Sequence, residues 1–362
     1  MTTTLTYSGT PTAAGGIEGE NLTRYMVLND MEKKVLSWIC GLTGPVTFLE
    51  NILVLVVIGT SASLRKQPSY LFIGSLAVAD VLASSFFPII FLDFHLFQRK
   101  DGPAIYLFKL GGVTMAFTGS VGSLLLTSVD RYLCIYQATR YKSLVTCCRA
   151  LLGITALWTM AVVISFLPLI GWRCQSKPPC SLLFPYVDPR YMGCWVGLML
   201  IVLFVIVGAY VLILWKAHQH EVAMETSKAG HSTLGRQTRM RMDIRLAQTL
   251  GLILLILVLC WVPSLSIMVV DVSRTLTHNE QRAFAFCGTL CLVNSAVNPL
   301  LYALRCRKLR WALVNLVRRI CRMCSQGNMA CVCLQNIDSD AREADKKYAD
   351  TISESLDKQN LG

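Results

Sequence analysis

An acidic and a basic residue lie side by side near position 130, directly after a long stretch without charge. The run from Leu110 to Val129 contains no charged residue and is followed by Asp130, Arg131 and Tyr132. A run of about 20 uncharged residues is long enough for a helix to cross a bilayer. Because a charged pair at the end of such a span is costly unless it is partnered, this pair indicates a functional site.

A second uncharged stretch, 283–304, contains Asn298, Pro299 and Tyr302. Asn and Pro inside a spanning helix free backbone groups that neighbouring helices, polar side chains or water must satisfy. Together with the Asp-Arg-Tyr motif, this pattern resembles the rhodopsin-like G-protein-coupled receptors. The resemblance implies a receptor that passes a signal across the membrane to a heterotrimeric G protein.

The composition agrees with a membrane protein. Of 362 residues, 54% are hydrophobic and only 15% are charged, whereas about 25% of a soluble chain is charged. The charge lies between seven apolar runs, at 35–60, 69–96, 105–130, 150–172, 191–215, 243–270 and 283–304. The fold class predicted from these runs is an all-α membrane protein with a bundle of seven transmembrane helices.

The same pattern predicts four segments. They are an extracellular flexible N-terminus at 1–34, a receptor domain at 35–304, an amphipathic helix at 305–324 and a flexible cytoplasmic tail at 325–362. In the third segment the apolar residues fall on one helical stripe and Arg and Lys fill the rest. Such a helix lies on the membrane surface, where membrane lipid is its partner.

Basic residues predict the orientation. The segments 60–68, 131–149, 216–248 and 305–322 carry 19 Lys and Arg, against 11 in the segments of the opposite side. Since the more positive side faces the cytoplasm, the N-terminus is predicted outside and Arg131 inside. The net charge of +12 then reflects attraction to anionic cytoplasmic lipid and not a nucleic-acid partner.

Three further predictions concern covalent modification. The sequon at Asn21 would lie outside, where a glycan can be added, although three residues also match by chance. Cys174 and Cys180 would both lie in the oxidising compartment and can close a small ring within the second outer loop. The tail cysteines Cys321 and Cys324 are candidates for palmitoylation beside a basic amphipathic helix, with a zinc site or no role as the alternatives.

A narrower resemblance covers residues 38–305. The segments Lys66–Ala77, Phe94–His95, Ser120–Thr127, Leu214–His218 and Ala283–Cys287 are similar to those of the cannabinoid receptors. The short N-terminus and the run 215–220 are more similar to the type 2 than to the type 1 members. The resemblance implies a neutral endocannabinoid-type lipid as ligand, and an inhibitory G protein that lowers adenylate cyclase activity, with arrestin and a receptor kinase as partners at the tail.

The residues themselves suit such a ligand. An amine receptor needs a carboxylate deep in the third span, but Val113 to Phe117 contains no acid. Aromatic residues crowd the outer halves of the spans instead. By spacing alone, such residues are more often packing residues than ligand contacts. With the resemblance, the predicted ligand site consists of Phe87, Phe91, Phe94, His95, Lys109, Val113, Thr114, Phe117, Phe184, Tyr191, Trp195, Trp261, Met268, Phe284 and Gly288. At Gly288 the chain departs from the family, which has a Ser there.

Mid-membrane polar residues form a second candidate site. The resemblance implies that Asp80, with Ser120, Asn294, Ser295 and Asn298, holds an allosteric sodium ion, and no other cofactor is expected. The alternative is a hydrogen-bonded network around a protonated Asp80.

A third set of residues forms the predicted activation switch. Arg131 would pair with Asp130 and Asp243 in the inactive state, and Asp243 lies 18 residues before Trp261, about 27 Å along one helix. Pro263 would allow this helix to bend, and Tyr210 and Tyr302 would meet Arg131 after activation. The complete predicted switch is Asp130, Arg131, Tyr132, Tyr210, Asp243, Trp261, Pro263, Asn298, Pro299 and Tyr302. A solvated loop acid is the alternative for Asp243.

Several other functions are alternatives to a cannabinoid-type receptor. A photoreactive pump needs a Lys in the last span, and 283–304 contains none; a transporter is the other seven-helix alternative. No activated nucleophile is visible, so the chain is predicted not to be an enzyme. Within receptors, a lysophospholipid or other lipid receptor is the nearest alternative, but it would need several cations at the pocket, and only Lys109 is well placed. The predicted location is the plasma membrane.

Overall fold

The structure is a computed structural model. It describes residues 24–99, 101–137, 139–174, 180–226, 234–305 and 307–324, without the side chains of 217, 220–226, 234–250, 253, 301–305, 307 and 319–324. The predictions at Asn21, along the tail 325–362 and for the side chains of Asp243, Tyr302, Cys321 and Cys324 therefore lie outside the described residues.

Seven long helices, which we call α1 to α7, form the first unit. They span Asp30–Thr60, Pro68–Phe91, Pro103–Tyr136, Cys147–Ile170, Pro189–Thr226, Leu234–Ser273 and His278–Arg305. Each contains a segment long and apolar enough to cross a membrane, so the predicted all-α bundle of seven transmembrane helices is confirmed. A separate unit begins at Arg307 and contains helix α8, Arg307–Cys324.

Local sequence signals explain where the helices begin. In α1, Asn29 and Glu32 form a capping box in which each side chain accepts from the other residue's backbone N–H. Pro68 and Pro103 stand in the first turns of α2 and α3, where a missing N–H costs nothing. Thr146 caps α4 with its side chain.

Helices α5 and α6 extend well beyond the predicted spans. They continue to Thr226 and begin at Leu234, whereas the apolar runs predicted 191–215 and 243–270. Loss of hydrophobicity marks where a helix leaves the membrane, but the backbone hydrogen bonds continue as long as the polar residues favour helix.

Helix α3 lies at the centre of the bundle and has the largest buried share of the seven spans. Its close approach to α4 depends on a glycine. A Cβ atom at Gly122 would lie 2.1 Å from Leu157 Cδ1, far inside van der Waals contact.

Helix α2 continues at its C-terminal end as a π-helical turn, Leu92–Leu96. Such turns are frequent at functional sites.

Candidate functional site

We call the end of the bundle that carries Cys174 and Cys180 the outer end, and the end that carries Arg131 the inner end. A pocket opens within the outer half, between α2, α3, α5, α6 and α7. Residues of the second outer loop and of the segment before α1 complete its wall. None of the described lining residues is Lys, Arg, Asp or Glu.

The structure brings nearly all of the predicted ligand-site residues together. Those that line the pocket are Phe87, Phe91, Phe94, His95, Val113, Thr114, Phe117, Phe184, Tyr191, Trp195, Trp261, Met268, Phe284 and Gly288. They come from five helices and one loop, so aromatic residues that are far apart in the sequence share one cavity. Their role as ligand contacts stays a prediction.

Two aromatic rings form the pocket floor. The ring centroids of Phe117 on α3 and Trp261 on α6 lie 4.4 Å apart at an interplanar angle of 82°, an edge-to-face geometry that aromatic pairs favour. Trp261 is buried. A ligand that reaches the floor would therefore touch α3 and α6 at the same place.

The outer wall is also built from ring contacts. Phe91 lies 6.1 Å from Phe87 and 4.7 Å from His95 between ring centroids. The π-helical turn places His95 on the same wall as the two phenylalanines. Across the pocket, Phe184 of the loop packs edge-to-face on Phe284 of α7 at 5.4 Å.

The polar ends of two wall residues already have partners in the protein. The Trp195 indole donates a hydrogen bond of 3.1 Å to Thr118 Oγ1, and the Tyr191 hydroxyl donates one of 3.1 Å to the Ile164 carbonyl. Thr118 in turn donates to the Thr114 carbonyl. These two rings therefore offer mainly apolar surface to the cavity.

Lys109 does not line the pocket. Its ammonium donates to Asp93 and to Asp101, and all three side chains are largely buried. Two carboxylates on one ammonium leave this cluster with no excess positive charge. The sequence did not reveal the cluster, because Asp93 lies in the π-helical turn, Asp101 in the segment before α3 and Lys109 in α3.

The sequence analysis missed part of the wall. The additional lining residues are Tyr25, Val27, Ile90, Tyr106, Leu110, Leu182, Leu183, Pro185, Val187, Met192, Ser264, Leu265, Gln281, Ala285 and Cys291. Those on helices were within reach of a periodicity argument from their predicted neighbours. Those before α1 and in the loop have no helical period that could identify them.

The predicted disulfide is present in the outer loop. Cys174 and Cys180 are joined, with 5.6 Å between their Cα atoms. Beyond the bridge, Cys174 N–H donates to the Tyr186 carbonyl at 2.9 Å. The ring thus holds the loop close to the residues that cover the pocket.

The predicted sodium residues lie inside the bundle, and Asn298 contacts Asp80. Asp80, Ser120, Asn294, Ser295 and Asn298 are all buried. Asn298 donates a hydrogen bond of 2.9 Å to Asp80 Oδ2, whereas Asp80 Oδ1 and Asn294 Oδ1 make no well-formed hydrogen bond with any described residue. Unpaired buried oxygens fit a cation, because oxygen atoms are what a hard cation binds.

At the inner end, Arg131 and Asp130 are paired and buried. The guanidinium donates to the Asp130 carboxylate and to the Ser69 hydroxyl. Ser69 also donates to Asp130 at 2.9 Å, and the Tyr141 hydroxyl donates to the other carboxylate oxygen at 2.6 Å. Burial and the neighbouring Asp130 raise the pKa of Tyr141, so its hydroxyl stays a donor at neutral pH.

The other switch residues are placed as follows. Tyr210 of α5 is buried, and Tyr132 stacks on Tyr136 with 4.5 Å between centroids. Pro263 and Pro299 lie inside α6 and α7. The predicted pairing of Arg131 with Asp243 remains untested. Ser69, which bonds to both Arg131 and Asp130, and Tyr141, which donates to Asp130, were missed because they lie on α2 and in an inner loop.

The comparisons with known proteins agree with this architecture. Residues 50–302 match the family model of the 7 transmembrane receptor (rhodopsin family). Cannabinoid receptor 1 of Xenopus laevis is 48% identical over 81% of this chain, and the match covers 65% of the frog protein. Cannabinoid receptor 2 is 46% identical in Rattus norvegicus and 44% in Homo sapiens, with 82% of this chain matched in each case and 82% and 81% of the relatives.

The two subtypes are not separated by these figures. Identity is slightly higher to the frog type 1 receptor, while coverage is greater for the type 2 receptors, so the likeness to type 2 stays a prediction. The family itself is clear from the model that matches most of the chain and from relatives matched over four fifths of their length. This chain is a multi-pass membrane protein that belongs to the rhodopsin family of seven-transmembrane receptors, within its cannabinoid receptor group.

Proposed function

We propose that this chain is a plasma-membrane receptor that binds a neutral lipid of the cannabinoid class in the outer pocket. The observation that carries the proposal is the wall itself, which is aromatic and aliphatic and has no charged residue among its described members. Affinity in such a pocket comes mainly from apolar burial, about 25 cal/mol for each Å². A few polar groups then set the orientation of the ligand.

Charge argues against the nearest alternative. A lysophospholipid carries a phosphate, which would need a free cation at the pocket. Lys109, the basic residue best placed by sequence, is already bound to Asp93 and Asp101. The local charge there repels a phosphate, so a neutral headgroup fits better.

Activation begins at the floor in this proposal. A ligand that presses on Phe117 and Trp261 acts on α3 and α6 together, and α6 runs as one helix from Trp261 to Leu234. Pro263 interrupts its hydrogen bonds and permits a bend. An outward swing of the inner end then opens a cleft beside Arg131 for a G-protein helix. The ligand drives this change only by its higher affinity for the open state.

The partners at the inner end are the remaining part of the proposal. The N-terminus of the receptor lies outside the cell, and the inner end couples to an inhibitory G protein, which lowers adenylate cyclase activity. A receptor kinase and arrestin act at the tail. The charge asymmetry of the loops and the cannabinoid receptors among the relatives support this orientation and coupling.

Sodium is proposed as an allosteric ion. Asp80 would hold it with Asn294, Ser295 and Ser120, and its positive charge would compensate the buried carboxylate. Bound sodium would favour the inactive state. Accordingly, agonist affinity in the wild type should be lower in sodium than in an equal concentration of an inert cation, and Asp80→Asn should show no such difference. An equal response in both receptors would show that Asp80 does not hold an allosteric sodium ion.

One experiment tests the proposed ligand class and coupling together. Membranes that contain the receptor are titrated with a labelled neutral cannabinoid and, separately, with an anionic lysophospholipid, and cellular cyclic AMP is measured after each. We expect saturable binding and a fall in cyclic AMP with the neutral ligand alone. A response to the lysophospholipid alone would replace the proposal with the alternative.

A further inference from the structure

A short piece of the second outer loop is fastened to the outer end of α6. The Ser181 hydroxyl donates to Asp271 Oδ2 at 2.6 Å, and the Leu182 backbone N–H donates to Asp271 Oδ1 at 3.0 Å. Both oxygens of one carboxylate are therefore used to hold two successive loop residues. Among the described residues, Asp271 forms no ion pair, so the loop itself is what stabilises its charge.

Ser181 also organises the loop around it. Its Oγ accepts hydrogen bonds from the N–H groups of Leu183 and Phe184, each at 3.1 Å. Asp271 thus acts through Ser181 on the residues that follow, and Leu182, Leu183 and Phe184 all line the pocket. The position of Phe184 on the pocket wall depends in this way on a carboxylate of α6.

Two further contacts hold the same segment from other sides. The Gln281 side chain of α7 donates to the Leu182 carbonyl at 2.8 Å, and the Tyr25 hydroxyl donates to the Ser181 carbonyl at 2.9 Å. Burial raises the pKa of Tyr25 to about 12, so its hydroxyl remains a donor. The segment is consequently attached to α6, to α7 and to the chain before α1.

Burial shows that these contacts lie inside the molecule. Ser181 is 1% exposed, Gln281 8% and Asp271 9%. A carboxylate buried to this extent is costly unless its oxygens are hydrogen-bonded, which makes loop docking and the position of Asp271 mutually dependent. When the outer end of α6 moves, the loop must follow or give up these bonds.

We propose that Asp271 is a positioning residue that latches residues 181–184 over the pocket and links the closure of this lid to the position of α6. The inference rests on the proposed function, because it assumes that a ligand occupies the pocket beneath the lid. The latch slows both the entry and the exit of ligand, so its removal changes the two rate constants more than their ratio. Replacement of a residue needed only for folding would lower the number of receptors at the surface without changing the two rate constants.

The test compares three variants with the wild type. Asp271→Ala removes both acceptors, Asp271→Asn keeps one acceptor and a similar volume, and Ser181→Ala removes the hydroxyl. Asp188→Asn is the matched control, since Asp188 lies in the same loop and its side chain accepts only from the nearby Arg190 N–H in the described contacts. Association and dissociation of a labelled neutral cannabinoid are measured on the intact receptor at matched surface number.

We expect dissociation to be about tenfold faster in Asp271→Ala, a change equivalent to about 1.4 kcal/mol, with faster association and a smaller change in Kd. Asp271→Asn should lie between this variant and the wild type, and Ser181→Ala should add little to Asp271→Ala in the double variant. Dissociation at the wild-type rate in both Asp271 variants would overturn the inference.

A second readout needs no ligand. Hydrogen exchange of the backbone amides at 181–184 should accelerate in Asp271→Ala and stay unchanged in Asp188→Asn. If the exchange at 181–184 does not change in Asp271→Ala, the proposal that Asp271 holds this segment is wrong, whatever the binding data show. If it accelerates while the wild type fails to bind the neutral cannabinoid, the latch stands and the proposed ligand is wrong.

Discussion

The two ends of the bundle hold their key side chains in opposite ways. In the outer pocket, the polar ends of Trp195 and Tyr191 are bonded to the protein and the rings line the cavity. At the inner end, Arg131 and Asp130 are buried with their charges, and Ser69 and Tyr141 supply hydrogen bonds to them. The outer end is therefore suited to recognition by shape and apolar burial, and the inner end to a change between alternative polar partners.

This contrast implies different consequences of mutation. Loss of a wall ring away from the floor, such as Trp195, removes contact area, so its effect should depend on the ligand but leave the switch working. Loss of a partner at the inner end leaves a buried charge without compensation, so its effect should appear in signalling with every ligand.

The largest effect is expected at Arg131. Arg131→Ala should abolish agonist-stimulated nucleotide exchange on the G protein, because no other side chain at this buried position offers five donors. Antagonist affinity should stay within about threefold, a difference below 1 kcal/mol. Arg140→Ala, at an exposed residue of the same end, is the control and should couple normally. Retained coupling in Arg131→Ala would contradict the role of the inner end as the switch.

A smaller but still large effect is expected in the pocket. Trp195→Ala deletes a buried ring, which costs about 3 kcal/mol where the ring packs closely, and should weaken ligand binding at least tenfold in equilibrium measurements. Trp215→Ala on the same helix is the matched control, since Trp215 is 58% exposed on the bundle surface. Unchanged affinity across several chemical classes of ligand would make Trp195 a packing residue only.

An intermediate effect is expected from Tyr141→Phe. The variant removes the hydroxyl that donates to Asp130, and a hydrogen bond to a charged group contributes about 1.5–3 kcal/mol when buried. Because Tyr141 is only partly buried, we expect a rise of about fivefold or less in nucleotide exchange without agonist. Ser143→Ala is the control, because the Ser143 hydroxyl bonds only to the nearby Arg140 carbonyl among the described residues, and it should show wild-type exchange. Equal exchange in the two variants would exclude Tyr141 from the switch.

The smallest effect concerns Gly288. A side chain there would supply the hydroxyl found in relatives, and a net hydrogen bond contributes about 0.5–1.5 kcal/mol. However, a Cβ atom would lie 3.2 Å from the Phe87 ring, so that ring must shift by a few tenths of an ångström. We expect Gly288→Ser to raise affinity for hydroxyl-bearing agonists several-fold, and Gly288→Ala to lack the gain. Equal changes in the two variants would show that the added side-chain volume, and not a hydrogen bond, changes the affinity.

Sequence reasoning was most successful within the spans. Phe87, Phe117 and Trp261 were placed in one site on the basis of the resemblance to the cannabinoid receptors, and the structure brings them together. It was least successful where contacts join distant segments. Nothing in the spacing of Asp93, Asp101 and Lys109 showed that they form one cluster, and Thr118 was missed because it acts on the pocket only through Trp195.

By itself, the sequence determined that this chain crosses a membrane seven times, and where a charged pair and an Asn-Pro motif stand in those spans. These follow from hydrophobic length and from the helical period, which are local properties. Only the tertiary structure decided that Tyr25, the loop residues 181–184, Asp271 and Gln281 meet over one pocket. Segments without a regular period carry no local signal of their partners, and a hydrogen bond such as that between Tyr25 and Ser181, which are 156 positions apart, forms only after the helices have packed.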